Sequence, residues 1–229
     1  MEKEGRFFVI EGPDGSGKSE QFKLLKARLT EEGYPVVSFD FPQYERESSF
    51  FIRQYLNGVY GGWRDVGPRK TSIFYALDRF DAAPEIRKAK AEGKLVLSNR
   101  YVASNLGHQG AKLPASEQEE FFRWDSNFEF VELGIPRPDL NIILHVPAEV
   151  SFKLIEKKGR REYLRGARKD IHEEDIEHLR AAENAYLQVA KLWPKEYIVI
   201  ECAKDGQPLP IPEIHEKIWE MVKRQLVSE

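Results

Sequence analysis

Cysteine, long apolar runs and an excess of either charge are all scarce in this sequence, and each scarcity excludes something. The 229 residues contain one cysteine, Cys202, so an intramolecular disulfide framework and a multi-cysteine zinc site are ruled out. A small buried side chain at a strand end is the plain reading of that thiol and a nucleophile the rarer one. A lone cysteine also suits a reducing, cytoplasmic setting. At the N-terminus, Met1 to Arg6 leads into only four consecutive apolar residues, Phe7 to Ile10, which is neither a secretory apolar region nor a membrane span. Charged residues make up 32% of the chain, yet 35 Lys and Arg against 38 Asp and Glu leave a net −3. That balance argues against a broad basic face for a nucleic-acid polymer, while a local cationic cluster is still open. Hydrophobic residues, at 41%, suffice for a core, and the length suits one domain spanning 1–229.

Repeats and low-complexity linkers are missing as well, which directs attention to a single α/β unit. Phe7 to Ile10, Val36 to Phe39, Leu95 to Leu97, Leu140 to Val146 and Tyr197 to Ile200 are too short for helices and rich in β-branched residues, so they read as five buried strands. Between the first two, Phe22, Leu25 and Leu29 form one helical stripe that Gly33 and Pro35 end. Further helical stretches fall at about 70–92, 115–133, 148–158, 172–193 and 211–227. Leu179, Ala182, Tyr186, Val189 and Trp193 keep spacings of three and four, but barely two heptads favours packing on a sheet over a coiled coil. Strands alternating with helices imply a parallel sheet with right-handed crossovers, a three-layer α/β/α arrangement.

Directly after the first strand stands Gly12-Pro13-Asp14-Gly15-Ser16-Gly17-Lys18-Ser19, a full match to the phosphate-loop pattern between a strand and a helix. Small residues let successive backbone N–H groups turn toward phosphate oxygens at the positive end of the following helix. Lys18 would reach the β and γ phosphates and Ser19 would ligate Mg²⁺. The guanine-reading N-K-x-D pattern is absent. The third strand ends Leu97-Ser98-Asn99, without the acid that would hold the metal's water, and Asp40 could be mistaken for that acid although Phe41-Pro42 after it suggests a turn.

Five ordered blocks resemble the thymidylate kinase family of P-loop nucleoside-monophosphate kinases. They are Ile10 to Ser19, Phe41-Pro42-Gln43-Tyr44, Tyr75-Ala76-Leu77-Asp78-Arg79, Asn99-Arg100-Tyr101-Val102-Ala103-Ser104-Asn105 and Leu133 to Asp139. The resemblance implies a P-loop NTPase fold with a five-stranded parallel sheet and an Arg-rich lid at about 157–170. It implies transfer of the ATP γ-phosphate to dTMP with Mg²⁺, in a homodimer whose contacts could use the helices at 70–92 or 115–133. Phe41, Tyr44 and Ser104 fall to the acceptor site through their blocks. The Tyr75 ring would stack on the base, Arg79 one turn along would donate to thymine O4, and Asn105 would pair with N3 and its neighbouring carbonyl. Without the family blocks, Tyr75 reads as a core aromatic and Arg79 as a surface partner of Asp78 or Glu85. Arg100 would hold the acceptor phosphate in line with the donor. Asp14 would face the sugar 3′-hydroxyl or the metal's waters, and His108 and Gln109 would close the floor under the deoxyribose, His108 alternatively being structural.

Residues 157–169 carry seven cations and one acid. As a lid they would bring arginines to the transferred group, from a pool of Arg160, Arg161, Arg165 and Arg168 with the last two favoured. Glu173, with Asp170, would support the metal's waters or cap the next helix. One departure stands out: Asn99 replaces the family's Asp. Either Asp14 and Glu173 take over its role, or transfer is weakened. A related deoxynucleotide or deoxynucleoside kinase is the alternative activity, although a nucleoside lacks the phosphate that Arg100 would hold.

Overall fold

In the first strand, alternate side chains point to opposite faces, and both faces are covered. A computed structural model describes residues 4–163 and 176–227, with 157–163 described by backbone alone. Phe7 and Val9 enter one core cluster, while Phe8 and Ile10 enter another on the far side of the sheet. A strand buried on both faces belongs at the centre of a parallel sheet.

The elements run β1 (Phe7–Glu11), α1 (Lys18–Glu31), β2 (Val36–Asp40), a 3-10 turn (Glu47–Ser49), α2 (Phe50–Leu56), α3 (Trp63–Val66), α4 (Pro68–Ala91) and β3 (Leu95–Asn99). They continue with α5 (Val102–Gly110), α6 (Ala115–Asn127), a wide π-helical turn (Phe128–Glu132), β4 (Leu140–His145), α7 (Ala148–Tyr163) and α8 (Ile176–Leu192). Last come β5 (Tyr197–Glu201), the short strands β6 (Ala203–Lys204) and β7 (Gln207–Pro208), and α9 (Ile211–Val227). The sheet order is β2-β3-β1-β4-β5, every pair parallel. The order reverses at β1, which opens a crevice at the C-terminal strand ends on either side of it.

Helices α1 and α9 cover one face through Leu25, Leu29, Ile218 and Trp219. Helices α4, α5 and α8 cover the other through Ile86, Leu106 and Val189. Of the heptad-like stripe, Tyr186 and Val189 enter this sheet-facing cluster with Trp193 against it, while Leu179 packs with Ala148 and Ile155 of α7. Cys202 is fully buried beyond β5, its Sγ donating to the Ile200 carbonyl at 3.2 Å, and burial pushes its thiol up to about 12. That is the inert, structural cysteine.

All five expected strands form. Helices α2, α3 and α5 were not among the expected ones, and α5 forms although it contains Gly107 and Gly110, residues of low helix propensity. Tertiary contacts explain both glycines. A Cβ on Gly107 would stand 2.3 Å from the Tyr186 ring, and one on Gly110 would stand 2.5 Å from that of Phe122. The first turn of α5 is also stabilised from outside, since the buried Glu11 carboxylate accepts the N–H groups of Tyr101 at 2.6 Å and Ser104 at 3.1 Å. A carboxylate at a helix start meets both the unpaired amides and the positive end of the dipole.

Candidate active site

The loop from β1 into α1 closes on itself and on its neighbours. Gly12 and Gly15 have φ of 140° and 79°. A Cβ on Gly12 would lie 2.6 Å from the Leu144 carbonyl oxygen, and one on Gly15 2.8 Å from that of Ser151, so any larger residue displaces backbone. Gly17 starts α1 with φ 84°. Lys18 is buried, its Nζ donating to the Pro13 carbonyl at 2.7 Å and standing 3.9 Å from Asp14 Oδ1. Ser19 is exposed on the first turn of α1.

Asp14 joins this loop to a cavity at the C-terminal end of the sheet. Its carboxylate accepts a short hydrogen bond from Arg100 Nη2. Burial alone would raise the Asp14 carboxyl, but the Arg100 and Lys18 charges outweigh it and hold the group well below the usual carboxylate range. Arg100 has φ 66°, a left-handed conformation that costs a non-glycine residue about 1 kcal/mol or more. It is held there by its N–H on the Ile10 carbonyl at 2.9 Å and by its carbonyl accepting from Ser98 Oγ at 2.7 Å. The guanidinium also reaches His108 Nε2 at 3.1 Å. Arginine only donates, so that nitrogen carries no proton and the ring is neutral, as its burial favours.

Deeper in the cavity, Arg79 is buried and clasps the equally buried Glu129, Nε and Nη2 each donating at 2.6 Å. The Asn105 amide nitrogen donates to the Ser72 carbonyl at 3.1 Å, Glu129 Oε1 at 3.0 Å and Asp125 Oδ1 at 3.3 Å. At the side wall, Asp78 accepts from the Gln43 N–H at 2.8 Å and Ser48 Oγ at 2.6 Å, fastening the loop that follows the cis Phe41-Pro42 peptide. The cavity is lined by Phe41, Tyr44, Tyr75, Arg79, Arg100, Ser104, Asn105, His108 and Gln109 together with Asp14, which is every acceptor-site residue expected from the sequence.

The family model for thymidylate kinase matches residues 10–218. The chain belongs to the thymidylate kinase family. It is 30% identical to a probable thymidylate kinase of Pyrococcus horikoshii over 228 residues, 98% of each chain. Identity to the thymidylate kinase of Mycobacterium tuberculosis is 29% over 194 residues, covering 84% of this chain and 89% of that one. A solved structure of thymidylate kinase from Candida albicans superposes with a TM-score of 0.72 at 18% identity, covering 97% of this chain and 92% of that one, which supports the fold.

Within this member of the thymidylate kinase family, Arg79 pairs with neither Asp78 nor Glu85. Asp78 faces Gln43 and Ser48, and Glu85 faces Arg46 at 2.7 and 3.0 Å. Arg165, Arg168, Asp170 and Glu173 lie outside the described residues, as do the side chains of Arg160 and Arg161. Three acids of the site escaped the sequence reading. Glu11 lay inside a motif already accounted for by its glycines. Asp125 and Glu129 were not singled out within the 115–133 stretch, although Gln118, Phe121, Phe122, Asp125 and Glu129 fall on one buried stripe. Two acids on the apolar stripe of a helix were the available signal.

Asn99 also looks different in three dimensions. Its Nδ2 donates to Asp40 Oδ1 at 2.8 Å, while its buried Oδ1 has no partner among the described residues. Restoring the family's aspartate would therefore set two carboxylates against each other. Asn99→Asp is expected to lower stability by about 1–3 kcal/mol, read by thermal unfolding, and Asn99→Asp with Asp40→Asn should recover most of it. Equal melting of the single variant and the parent would contradict this pairing. The double variant is accordingly the fair test of what Asn99 does to turnover.

Proposed function

We propose that the cavity takes dTMP and the 12–19 loop takes ATP, and that the chain transfers the γ-phosphate to give dTDP and ADP. The observation that carries this reading is the convergence of all nine residues expected at the acceptor site on one cavity that Asp14 of the phosphate loop also lines, bonded there to Arg100. Tyr75 offers a face for the base, Arg79 and Asn105 its polar edge, and His108 and Gln109 the sugar. Arg100, released from Asp14, forks onto the acceptor phosphate. A non-bridging oxygen of that phosphate attacks the γ phosphorus. A new P–O bond forms, the bond to the β,γ-bridging oxygen breaks, and its electron pair leaves with ADP. No protein nucleophile takes part, so positioning and charge neutralisation do the work.

A hard cation fits the donors present: the exposed Ser19 hydroxyl and the ionised Asp14 carboxylate are both oxygen ligands. Mg²⁺ held there with the donor phosphates would neutralise developing charge. From the sequence alone, the lid at about 157–170 would add Arg165 and Arg168 at the transferred group, with Glu173 near the metal's waters. No helix among the described residues is long and apolar enough to cross a membrane, and a cytoplasmic enzyme is the reading that the inert Cys202 supports.

The test is ADP release with Mg-ATP and, separately, dTMP, dUMP, dCMP, dGMP and thymidine. Stimulation greatest with dTMP supports the proposal, and no stimulation above the ATPase background would sink it. Phosphorylation of thymidine instead would favour the deoxynucleoside kinase alternative.

The working unit we infer is a homodimer through α4. Leu77 and Phe80 are exposed on α4 beside exposed Phe50 and Phe51, and Glu47, Asp81 and Arg87 rim the same shallow groove. An apolar centre with both charge signs at its edge can meet its own copy across a two-fold axis. Sedimentation should give a dimer that Phe80→Glu converts to monomer. A monomeric parent at all concentrations would contradict this.

A further inference from the structure

The Asn105 amide is presented to the cavity in one orientation. Its nitrogen faces three oxygens: the Ser72 carbonyl, Glu129 Oε1 and Asp125 Oδ1. Turning the amide over would set its oxygen against a backbone carbonyl and a carboxylate, neither of which can donate. The nitrogen is thereby committed to the protein, and no hydrogen bond among the described residues uses Asn105 Oδ1. Its carbonyl is the half left for a ligand.

Glu129 fixes Arg79 in the same stroke. Both carboxylate oxygens are occupied by its Nε and Nη2, and Oε1 is shared with Asn105. One carboxylate therefore orients an acceptor and a donor side by side on the cavity wall. Asp125 Oδ1 is the further acceptor on the same Asn105 nitrogen.

We propose that Glu129 is a positioning residue for base selection: by locking the Asn105 carbonyl and the Arg79 guanidinium toward the cavity, it selects a pyrimidine with an N3–H donor beside a C4 carbonyl acceptor. Thymine and uracil share that edge. Cytosine reverses it, with an acceptor at N3 and an amino donor at C4, so it meets acceptor with acceptor and donor with donor. This inference rests on the dTMP reading above and names which atoms enforce it.

Glu129→Gln tests it. The new amide brings its own N–H group among the donors of Arg79 and Asn105, so the carboxylate that held the Asn105 amide one way round is gone, and a turned Asn105 offers cytosine N3 a donor. The expected result is a fall of about tenfold or more in the dTMP to dCMP ratio of kcat/KM, carried mostly by KM, with the dTMP to dUMP ratio unchanged. A purely structural role would depress all three substrates together, so an unchanged dTMP to dCMP ratio overturns the proposal. Should Glu129→Gln be insoluble, Glu129→Asp keeps the charge that Arg79 needs while withdrawing the carboxylate from Asn105. The same fall is expected of it, and an unchanged ratio overturns the proposal equally. Absence of dTMP turnover in the parent would instead mean that the reading beneath it has failed.

Discussion

Lys18→Ala is expected to lower dTMP-dependent ADP release by about a thousandfold or more, the scale on which cations at a transferred phosphoryl group act. Its Nζ donates to the Pro13 carbonyl at 2.7 Å, inside the loop, and Lys18 is not among the residues that line the acceptor cavity. A phosphate entering the loop offers that ammonium a charged acceptor in place of a neutral one, and charge-assisted hydrogen bonds are about twice as strong. The same variant should bind dTMP nearly as well as the parent, because Lys18 does not line the cavity. Titration calorimetry with dTMP alone checks this. Loss of dTMP binding in step with loss of turnover would contradict the division of labour between loop and cavity.

Glu129→Ala is expected to cost about 3–5 kcal/mol of stability, because it strands the buried Arg79 charge. For a chain of this length that corresponds to a fall of roughly 10 °C or more in Tm. The size follows from the burial: the two side chains are 2% and 0% exposed, so water cannot replace the lost partner. Replacing both, Arg79→Met with Glu129→Leu, removes the stranded charge and should restore much of the stability while leaving dTMP turnover poor. Thermal unfolding and the ADP assay read the two effects separately. A double variant that regained activity would show that the pair serves folding alone.

The sequence made legible what depends on local pattern. Five short β-branched runs became the five strands, and the phosphate loop stands where its glycines require it. The residues expected at an acceptor site fall in short ordered blocks, and one cavity is lined by all nine of them. What escaped depends on contacts distant in sequence. Helix α5 forms although it contains two glycines, because Glu11 caps its start and the Tyr186 and Phe122 rings occupy the space a Cβ would fill. Arg79 finds its partner fifty residues along the chain, beyond any helical neighbour rule. Asn99, read as a missing acid, proves to be a donor to Asp40, a relation set by the pairing of β2 with β3.

Product identity with γ-labelled ATP tests the central claim most directly. Incubated with Mg²⁺ and dTMP, the protein should place the label in the β-phosphate of dTDP, one dTDP forming for each ADP. Label appearing only as inorganic phosphate, or in a product other than dTDP, would contradict the account.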